Sequence, residues 1–540
     1  MNIQKYVIFF VFIYMDIETR IEETLMETAL KYFGISMLKP FQVLVMQRIM
    51  EQENGSFVRH QLVILPTGTG KSLCFLVPAI LCKGLTVIVY PLLALMNDQR
   101  AKLEAGGISC VVIRGGQTKQ QRDEIWKKLE DGTKIVMTTP ESLLQKRVLT
   151  RLRKYRISLL VIDEAHVIAQ WGQDFRPEYF NLKKAVMELL PKQVLGFTAT
   201  ASELTMQLIW RQLFPSRPLV VRGDADRENL VYGVYPTWDR TQAVVDILRA
   251  CEKPAIVFCR TRHETQQVCY DALRDLRALK IPIKFYHAGL TKPERETLER
   301  WFSSSVNGVL VTTCAFGMGI DVRSIRTVIH HKLPATVEEY LQESGRAGRD
   351  GKLSVAWVIR LLGKKQEANP VAAIFEGDTC RRQALLGVLG QSKTDCVGCD
   401  VCLNNVQKEV NGAEVLEKLA RKFPFSFTIE RAAQLVVGTE NIGMVDYSGR
   451  MNPFYGAMKD WNCRRLKLAI KYACDEGVAK IGYVEFIKKG KLLYRTDISV
   501  YNFIACILGG LNHGYCWIVR KKRELAGSFR KIFRFREKTR

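Results

Sequence analysis

The feature that most constrains the fold is an apolar strand, a glycine-rich turn and an apolar helix start, which follow one another without a break over residues 62–77. The turn is Leu65–Ser72, with the sequence LPTGTGKS. Gly68 and Gly70 let the backbone fold tightly, so that successive N–H groups and the positive end of the following helix face an anionic phosphate chain. The stretch therefore predicts a buried strand, a phosphate-binding loop and a helix, in that order.

The side chains of this loop suit a nucleoside triphosphate that is bound with Mg²⁺. Lys71 would reach the β- and γ-phosphates, and the Ser72 hydroxyl would bind the cation. The expected nucleotide-binding residues of the loop are Thr67, Gly68, Thr69, Gly70, Lys71 and Ser72. The consensus glycine six residues before the lysine is replaced by Leu65, so the motif is matched only in its second half. An ordinary strand, turn and helix is the alternative at this point.

A second strand end supplies the carboxylates that such a site needs. The apolar run Leu159–Ile162 is followed directly by Asp163 and Glu164. A wholly apolar run is typical of a parallel strand buried on both faces, and ligands of open α/β sheets bind at the carboxyl ends of such strands. Asp163 can hold Mg²⁺, and Glu164 can orient or deprotonate the attacking water. The two motifs together predict a nucleotide triphosphatase.

Charge and cysteine usage point to the partner and to the redox environment. The formal net charge is +25, and Lys and Arg are spread along the whole chain. This excess favours a polyanionic partner, with nucleic acid the first choice and a merely solvated basic surface the alternative. Most of the fifteen cysteines stand singly in apolar runs, which is typical of reduced thiols rather than of a disulfide framework.

Apolar strands alternate with helical segments twice along the chain. The first series includes residues 86–89, 110–113 and 134–137, and the second includes 255–258, 309–312 and 327–329. Alternation of this kind indicates βαβ units and a parallel sheet. We therefore expect an α/β protein with two lobes.

The ordered motifs closely resemble those of the RecQ family of superfamily-two DNA helicases, over about residues 33–402. They are FGISMLKPFQ (33–42), LPTGTGKS (65–72), YPLLALMNDQ (90–99), TTPE (138–141), DEAH (163–166), FTATAS (197–202), VFCRTR (257–262), YHAGL (286–290), TTCAFGMGID (312–321) and QESGRAGRDG (342–351). The resemblance implies two RecA-like lobes that bind ATP in their cleft.

The resemblance also implies roles for residues outside the phosphate loop. Gln42 would read the adenine edge, which an amide can do with one donor and one acceptor. Catalysis would involve Gln342 with Arg346 and Arg349, and the family uses this motif to bring arginine across the lobe interface onto the γ-phosphate. Arginines in a glycine-rich segment, taken alone, are more often solvated.

The segment 169–179, AQWGQDFRPEY, resembles the aromatic-rich loop by which RecQ enzymes couple DNA contact to hydrolysis. Trp171 and Phe175 offer faces for base stacking, and Arg176 offers charge. We expect His166, a few residues before the loop, to share in this coupling. Core packing is the alternative for the aromatic pair, but the polar neighbours of both residues disfavour it.

Four cysteines after the second lobe have the spacing of a closed metal site. Cys380, Cys396, Cys399 and Cys402 follow a C-x15-C-x2-C-x2-C pattern, which suits tetrahedral structural Zn²⁺. RecQ proteins carry the same arrangement. A catalytic metal is not expected, because four thiolates leave no position open for water.

The remaining chain predicts a winged helix and a basic tail. Helical segments near 412–421, 432–438 and 468–476 precede two short strands, 483–488 and 491–496, that could form a wing hairpin. No clear aromatic residue marks the turn as a strand-splitting pin. The last 24 residues carry ten Lys or Arg against two Glu, interleaved with phenylalanines. Such an arm suits phosphate contacts with stacking.

The sequence thus predicts an α/β enzyme with two RecA-like parallel-sheet lobes, a zinc-binding module and a winged-helix domain. The expected divisions are an apolar extension (1–15), lobe 1 (16–222), lobe 2 (223–355), the zinc module (356–405), the winged-helix-like domain (406–500) and the basic tail (501–540). Two interpretations of the apolar extension are preferred, a translation-start artefact and a strand-like extension. A membrane anchor is the third alternative.

The predicted activity is ATP-dependent DNA unwinding with 3′ to 5′ translocation, in DNA repair or recombination. ATP, Mg²⁺ and Zn²⁺ are the expected cofactors, and single-stranded and duplex or forked DNA the expected partner, with no membrane. The expected location is the cytoplasm or nucleoid of a bacterium, or the nucleus of a eukaryote. A superfamily-two RNA helicase and a nucleic-acid-binding scaffold with a weak ATPase are the alternatives.

Overall fold

The structure is a computed structural model that describes most of the chain. The described residues are 19–54, 60–66, 68–170, 177–314, 316, 322, 324–363, 369–392, 395–396, 398–407, 409–423, 427–439, 452–475, 481–488 and 491–498, with the backbone alone in the last two ranges. They belong to two compact units. The first comprises residues 1–235, 243–360 and 366–407, and the second comprises 236–242, 361–365 and 408–540.

Lobe 1 of the first unit is a sheet with helices on both faces. Its strands are β1 (Gln61–Ile64), β2 (Leu85–Val89), β3 (Cys110–Ile113), β4 (Ile135–Thr138), β5 (Ile157–Ile162), β6 (Gln193–Thr198) and β7 (Leu219–Arg222). They form one seven-stranded sheet in the order β3-β4-β2-β5-β6-β1-β7, and its pairings are parallel. β1, β2, β4, β5 and β6 are buried throughout, which explains why they read as continuous apolar runs.

The helices of lobe 1 alternate with these strands along the chain. They are α1 (19–33), α2 (Pro40–Asn54), α3 (Leu73–Leu81), α4 (Leu93–Ala105), α5 (Lys119–Glu130), α6 (Pro140–Leu143), α7 (Lys146–Leu152), α8 (Val167–Gln170), α9 (Pro177–Phe180), α10 (Leu182–Leu189) and α11 (Glu203–Leu213). Side-chain hydrogen bonds stabilise the N-terminal ends of two of these helices. Thr118 and Gln121 form a capping box before α5, and the Ser202 hydroxyl accepts from Thr205 N–H at the start of α11.

Lobe 2 repeats the same architecture with fewer strands. These are β8 (Leu230–Thr237), β9 (Ala255–Phe258), β10 (Ile283–Tyr286), β11 (Val309–Thr312), β12 (Thr327–His330) and β13 (Ser354–Leu361), in the order β10-β11-β9-β12-β13-β8. The helices are α12 (Arg240–Ala250), α13 (Arg262–Asp275), α14 (Lys292–Ser304) and α15 (Val337–Ser344), with a 3₁₀ turn at Arg277–Leu279. The two parallel-sheet lobes predicted from the sequence are confirmed.

Two short helices follow lobe 2 and carry the cysteine module. They are α16 (Pro370–Glu376) and α17 (Arg381–Val388), and α17 is capped by the Cys380 thiol, which accepts from Gln383 N–H. The module is part of the first unit, and it pairs with the start of lobe 2 through a parallel bridge between Tyr232 and Cys399.

The second unit has its own apolar core. It contains α18 (Ala413–Lys422), α19 (Ile429–Val437), α20 (Cys463–Asp475) and the antiparallel strands β14 (Ile481–Lys488) and β15 (Lys491–Ile498). Trp238, Leu419, Leu435 and Ile470 are buried together in it. The three helices and the hairpin lie where the sequence predicts them, and the identity of this unit as a winged helix stays a prediction.

In the part of the chain that the structure describes, no helix combines the length and the hydropathy that crossing a bilayer requires. The apolar extension at residues 1–15 and the basic tail at 501–540 lie outside the described residues.

Candidate active site

The phosphate loop leaves β1 and turns back into α3 with the conformation that its glycines allow. Gly68 and Gly70 both lie in the left-handed region, with φ of 80° and 88°. A Cβ at Gly70 would come within 2.5 Å of the Gln42 amide nitrogen. The Thr69 hydroxyl donates to the carbonyl of Pro66 at 2.7 Å and tightens the turn. Both glycines are therefore required by the backbone, as expected of a loop that wraps an anion.

Gln42 lies against this loop and uses both ends of its amide there. Its Oε1 accepts from Lys39 N–H at 2.8 Å, and its Nε2 donates to the carbonyls of Thr69 and Gly70 at 3.2 and 3.3 Å. The structure therefore gives Gln42 a role in holding the loop. Its role at the adenine edge stays a prediction.

The surroundings of the Lys71 ammonium group fit an anionic ligand. Its Nζ is buried and has no hydrogen-bond partner among the described residues, and the nearest carboxylate oxygen, Glu164 Oε1, is 4.0 Å away. A buried ammonium without hydrogen bonds is unfavourable, so its position fits a phosphate oxygen as ligand. The Ser72 hydroxyl makes no capping bond to the start of α3. The donor set of the loop therefore fits a phosphate chain with a bound cation.

The two predicted carboxylates stand at the end of β5 in different environments. Asp163 is 4% exposed, and burial together with the charge of Glu164 raises its pKa to about 7. Burial alone would raise the pKa of Glu164 too, but the Lys71 ammonium, His166 and the Arg346 charge outweigh it and hold that pKa at about 2. A divalent cation beside Asp163 would supply the countercharge that this carboxyl lacks.

Glu164 is also held in an unusual backbone conformation. Its φ is 50°, the left-handed region that residues with a Cβ rarely adopt, and such strain typically amounts to about 1–3 kcal/mol. Its N–H donates to Asp163 Oδ1 at 3.0 Å, which fixes the two carboxylates relative to each other. The lowered pKa keeps the Glu164 side chain ionised, which is the state that a general base requires.

His166 lies between Glu164 and a residue of the other lobe. His166 Nδ1 lies 3.0 Å from the Thr198 hydroxyl and 3.3 Å from Glu164 Oε2. The Thr198 hydroxyl donates to the carbonyl of Thr200 at 3.0 Å, so it accepts from His166 and the proton of the imidazole is on Nδ1. His166 Nε2 then accepts from the Gln342 amide at 3.1 Å. The predicted pair His166 and Gln342 is thus in direct contact across the cleft.

The two predicted arginines come from the turn that follows α15. Arg346 is 9% exposed, and burial and the like charge of Arg349 lower its pKa to about 10, which leaves it charged at neutral pH. The aliphatic part of Arg349 packs over the phosphate loop, with its Cγ 3.8 Å from the position of a Cβ on Gly68. The structure therefore brings both cations from lobe 2 to the loop and the carboxylates of lobe 1.

Helix α15 is attached to lobe 1 by a residue that sequence reasoning missed. Glu338 is 8% exposed, and its Oε1 accepts from Ser202 N–H at 3.2 Å and from the Thr205 hydroxyl at 3.1 Å. These donors form the N-terminal turn of α11, where an anion is favoured. Glu338 and Gln342 are four residues apart on one face of α15. The motif FTATAS, which was recognised but given no role, could have indicated this contact.

Four of the predicted site residues belong to parts of the chain that the structure does not describe. Thr67 of the phosphate loop and the DNA-coupling residues Trp171, Phe175 and Arg176 lie outside the described residues. Their roles stay predictions.

The four predicted metal ligands come together in the cysteine module. The sulfurs of Cys380, Cys396, Cys399 and Cys402 all lie within 4.8 Å of one another. Backbone N–H groups point at two of them, from Gln383 to Cys380 and from Cys402 to Cys399, at 3.5 and 3.4 Å. Four thiols that converge in this way could bind a zinc ion, since tetrahedral sulfur ligands at about 2.3 Å from the metal lie about 3.8 Å apart.

Comparison with known proteins agrees with this geometry. The family model described as DEAD/DEAH box helicase matches residues 39–208, and the model described as helicase conserved C-terminal domain matches residues 239–351. The first match contains the phosphate loop and the carboxylates, and the second contains the arginine-bearing turn.

Curated relatives extend over more of the chain. It is 31% identical over 448 residues to the ATP-dependent DNA helicase RecQ of Pasteurella multocida, which covers 78% of this chain and 70% of that protein. It is 33% identical over 370 residues to the ATP-dependent DNA helicase RecQ of Haemophilus influenzae, with 64% and 59% covered. For the ATP-dependent DNA helicase Q-like 2 of Arabidopsis thaliana the identity is 34% over 415 residues, with 71% and 57% covered. The last two matches span less than two thirds of those relatives.

Solved structures support the fold alone, because their identities are low. The DEAD-box helicase Mss116, bound to single-stranded RNA and UDP-BeF, has a TM-score of 0.53 at 19% identity, over 73% of this chain and 82% of its own. The helicase MrfA, bound to DNA, has a TM-score of 0.51 at 18% identity, over 69% and 51%. The two sheet lobes are therefore of the RecA-like type.

Proposed function

The chain belongs to the RecQ family of ATP-dependent DNA helicases, and from that premise we propose that it moves 3′ to 5′ along one DNA strand and separates duplexes ahead of it. The observation that carries the proposal is the cleft itself. Lobe 1 contributes two carboxylates and a buried lysine that has no hydrogen-bond partner among the described residues. Lobe 2 contributes two arginines, whose charge or side chain lies close to these groups. A nucleoside triphosphate would fill the space between these opposite charges.

In the proposed reaction each residue acts on a different part of the triphosphate. Lys71 and the loop N–H groups hold the β- and γ-phosphates, while Ser72 and Asp163 would hold Mg²⁺, which neutralises phosphate charge when bound. Glu164 accepts a proton from the attacking water, and its low pKa keeps it ionised for this step. Arg346 and Arg349 stabilise the charge that develops on the γ-phosphoryl group.

His166 and Gln342 are proposed to sense the state of the site. His166 Nδ1 lies 3.3 Å from Glu164 Oε2, and its Nε2 is hydrogen-bonded to Gln342 of α15. A shift of either lobe therefore changes the surroundings of the catalytic base. The aromatic-rich loop at 169–179 begins three residues after His166. We propose that a base stacked on Trp171 or Phe175 acts on hydrolysis through this neighbour, in addition to contributing about 1–3 kcal/mol per stack to affinity.

We propose zinc as the ion of the cysteine module and a structural role for it. The four sulfurs lie close enough together to supply a tetrahedral set of ligands, and backbone N–H groups point at two of them, as outer hydrogen bonds of such sites do. The second unit is proposed to bind duplex DNA as a winged helix, on the strength of its three helices and hairpin. The large positive charge of the chain favours both DNA contacts.

Unwinding of tailed substrates tests the proposal. Duplexes with a 3′ or a 5′ single-stranded tail are incubated with the protein and ATP at fixed salt, beside an RNA duplex of the same sequence. We expect ATP-dependent unwinding of the 3′-tailed DNA and none with Lys71→Ala, which should still bind DNA because the basic surface does not depend on the phosphate loop. Unwinding of the 5′-tailed DNA alone, or preference for RNA, would refute the assignment.

A further inference from the structure

The turn that presents the arginines has little regular structure of its own to hold it. We call residues 345–350 the arginine loop. It follows the last residue of α15, Ser344, so its carbonyls point beyond the helix and cannot all find partners in the helical ladder. Gly348 has a φ of 61°, and a Cβ there would come within 2.4 Å of the Asn229 amide nitrogen. The loop is thus closely surrounded, and its carbonyls require external donors.

One side chain supplies three of these donors. Arg227 Nη1 donates to the carbonyl of Gly345 at 3.3 Å, and its Nη2 donates to those of Ala347 and Gly348 at 3.2 and 2.8 Å. The three carbonyls flank Arg346 on both sides. A guanidinium has five N–H donors in a rigid planar fork, so it can fix several acceptors at once, which an ammonium on a flexible stem cannot.

A second side chain from the same segment completes this grip. Asn229 Nδ2 donates to the carbonyls of Gly348 and Lys352, both at 2.8 Å. The Asn229 carbonyl in turn accepts from Ser354 N–H at 2.9 Å, at the first residue of β13. The segment between β7 and β8 therefore holds the arginine loop from its beginning to its end.

Arg227 is itself anchored by the helix next to the cysteine cluster. Arg382 of α17 forms an ion pair with Asp226, and its Nη1 also donates to the carbonyl of Arg227 at 2.9 Å. Its Nη2 donates to the carbonyls of Leu230 and Gly398 at 2.6 and 3.3 Å. Both charged side chains of this pair are almost completely buried, 1% and 2% exposed. Both terminal nitrogens of the Arg382 guanidinium are thus bonded. Such a buried pair is a rigid support, because loss of either partner would leave an uncompensated charge.

We propose that Arg227 is a positioning residue for ATP hydrolysis, which sets where Arg346 and Arg349 stand over the phosphate loop and is held in place by the buried pair Asp226–Arg382. This inference rests on the proposed function, since it presumes that the two arginines act on the γ-phosphoryl group. The hydrogen bonds of the Arg227 side chain go to the backbone of the arginine loop, and through them it sets the position of the two arginines. A displacement of the arginines by about 1 Å can lower the rate by about 100-fold.

The test uses the full-length protein with saturating single-stranded DNA. Arg227→Lys keeps the positive charge and the aliphatic chain but removes the planar guanidinium. The matched control is Arg274→Lys on α13 of the same lobe, where an exposed arginine pairs with Asp271 and Asp275. We expect Arg227→Lys to lower kcat by about 10- to 100-fold. The KM for ATP should stay within about threefold of the parent, because the lost interaction belongs to the transition state. The control should match the parent.

Combination with Arg346→Ala separates positioning from general support. If Arg227 acts through Arg346, then Arg227→Lys should reduce kcat by less than about twofold in the Arg346→Ala background. Full multiplication of the two losses, an effect on KM alone, or a parental kcat in Arg227→Lys would each overturn the inference. If Arg346→Ala itself hydrolyses ATP at the parental rate, the proposed site fails and this inference fails with it.

Folding is checked in the same series by thermal unfolding. If Arg227→Lys unfolds at the assay temperature, Asn229→Ala takes its place, since it removes the other side chain that donates to the Gly348 carbonyl. A smaller loss of kcat with an unchanged KM is then the expected result. Parental kinetics in a folded Asn229→Ala protein would overturn the inference.

Discussion

The two lobes hold their proposed catalytic groups in different ways. In lobe 1 the chain leaving each strand continues the hydrogen bonding of the sheet: Leu65 N–H donates to Thr198, Asp163 N–H to Val89, and Ala165 N–H to the carbonyl of Phe197. In lobe 2 the arginines stand beyond the end of a helix. The N–H groups at the start of their loop donate to backbone carbonyls, but three of its own carbonyls accept from the side chain of Arg227.

This difference has a consequence for how the protein tolerates change. Backbone hydrogen bonds survive most substitutions, so in lobe 1 only the side chains that do chemistry should matter strongly. Side-chain contacts do not survive, so in lobe 2 residues that never touch the nucleotide should matter as well. Attachment of the arginines through side chains also fits a translocating enzyme, because the arginines must approach and leave the phosphate loop as the lobes close and open.

Among the substitutions that compare the two lobes, the largest loss of hydrolysis is expected at Arg346. Arg346→Ala should lower kcat by about 10³- to 10⁵-fold, the range for an arginine that stabilises a transferring phosphoryl group. ATP binding, followed by fluorescence of a labelled nucleotide, should weaken far less. Arg349→Ala is the comparison, because that side chain packs over Gly68 and its loss should weaken binding more than Arg346→Ala does. Equal, small effects of both on kcat would show that lobe 2 contributes no catalytic charge.

Glu164→Gln should lower kcat by about 10²- to 10⁴-fold while ATP binding persists, because an amide cannot take a proton from water. The neighbouring Asp163→Asn should instead weaken the dependence on Mg²⁺. Measuring hydrolysis over a Mg²⁺ titration separates the two. Parental hydrolysis by Glu164→Gln would mean that Glu164 is only structural and that lobe 1 provides no general base at that position.

Glu338 tests whether the lobes must be joined for hydrolysis. Glu338→Ala removes two hydrogen bonds to the start of α11 and should lower kcat by about tenfold, since a hydrogen bond to a charged group contributes about 1.5–3 kcal/mol. Glu338→Gln keeps an acceptor oxygen and should recover part of the rate. Thr205→Val should add little to Glu338→Ala, because both break the same contact. Independent, multiplying losses would mean that this contact does not join the lobes.

The smallest effect on hydrolysis is expected in the cysteine module. Cys399→Ser should remove the metal found by native mass spectrometry and lower the Tm of thermal unfolding, because loss of a structural metal destabilises the fold. Below the new Tm, kcat should fall much less than in the variants above. Cys269→Ser, a buried thiol outside the cluster, should keep one zinc. Absence of metal from fresh, reduced parent protein would contradict the zinc proposal.

The sequence patterns predict the strands that form the sheets of both lobes. The apolar runs at 86–89, 255–258 and 309–312 are buried strands, because strands covered on both faces must be apolar throughout. The sequence predicted Asp163 because a polar residue directly after an apolar run lies at a strand end of a parallel sheet. It predicted Lys71 from the glycine-rich turn that follows the first strand. The convergence of the four cysteines also followed from their spacing.

The contacts between distant segments could not be read from the sequence. Arg227 lies in a polar linker and acts on carbonyls about 120 residues away, so no local pattern marks it. Glu338 looks like any solvated helical carboxylate until the lobes are packed together. The loop-holding role of Gln42 is also a tertiary contact, because its amide meets loop carbonyls 27 and 28 residues away.

The central claim is that the cleft between the lobes hydrolyses ATP in response to DNA. The most direct test is ATP hydrolysis by the parent and by Lys71→Ala, without nucleic acid and with saturating single-stranded DNA, duplex DNA or RNA, at one stated salt concentration because phosphate-driven affinity depends on it. The account predicts strong stimulation of the parent by single-stranded DNA, weaker stimulation by RNA, and no stimulated hydrolysis by Lys71→Ala. Stimulated hydrolysis in that variant, or a parent that responds to RNA more than to DNA, would contradict the account.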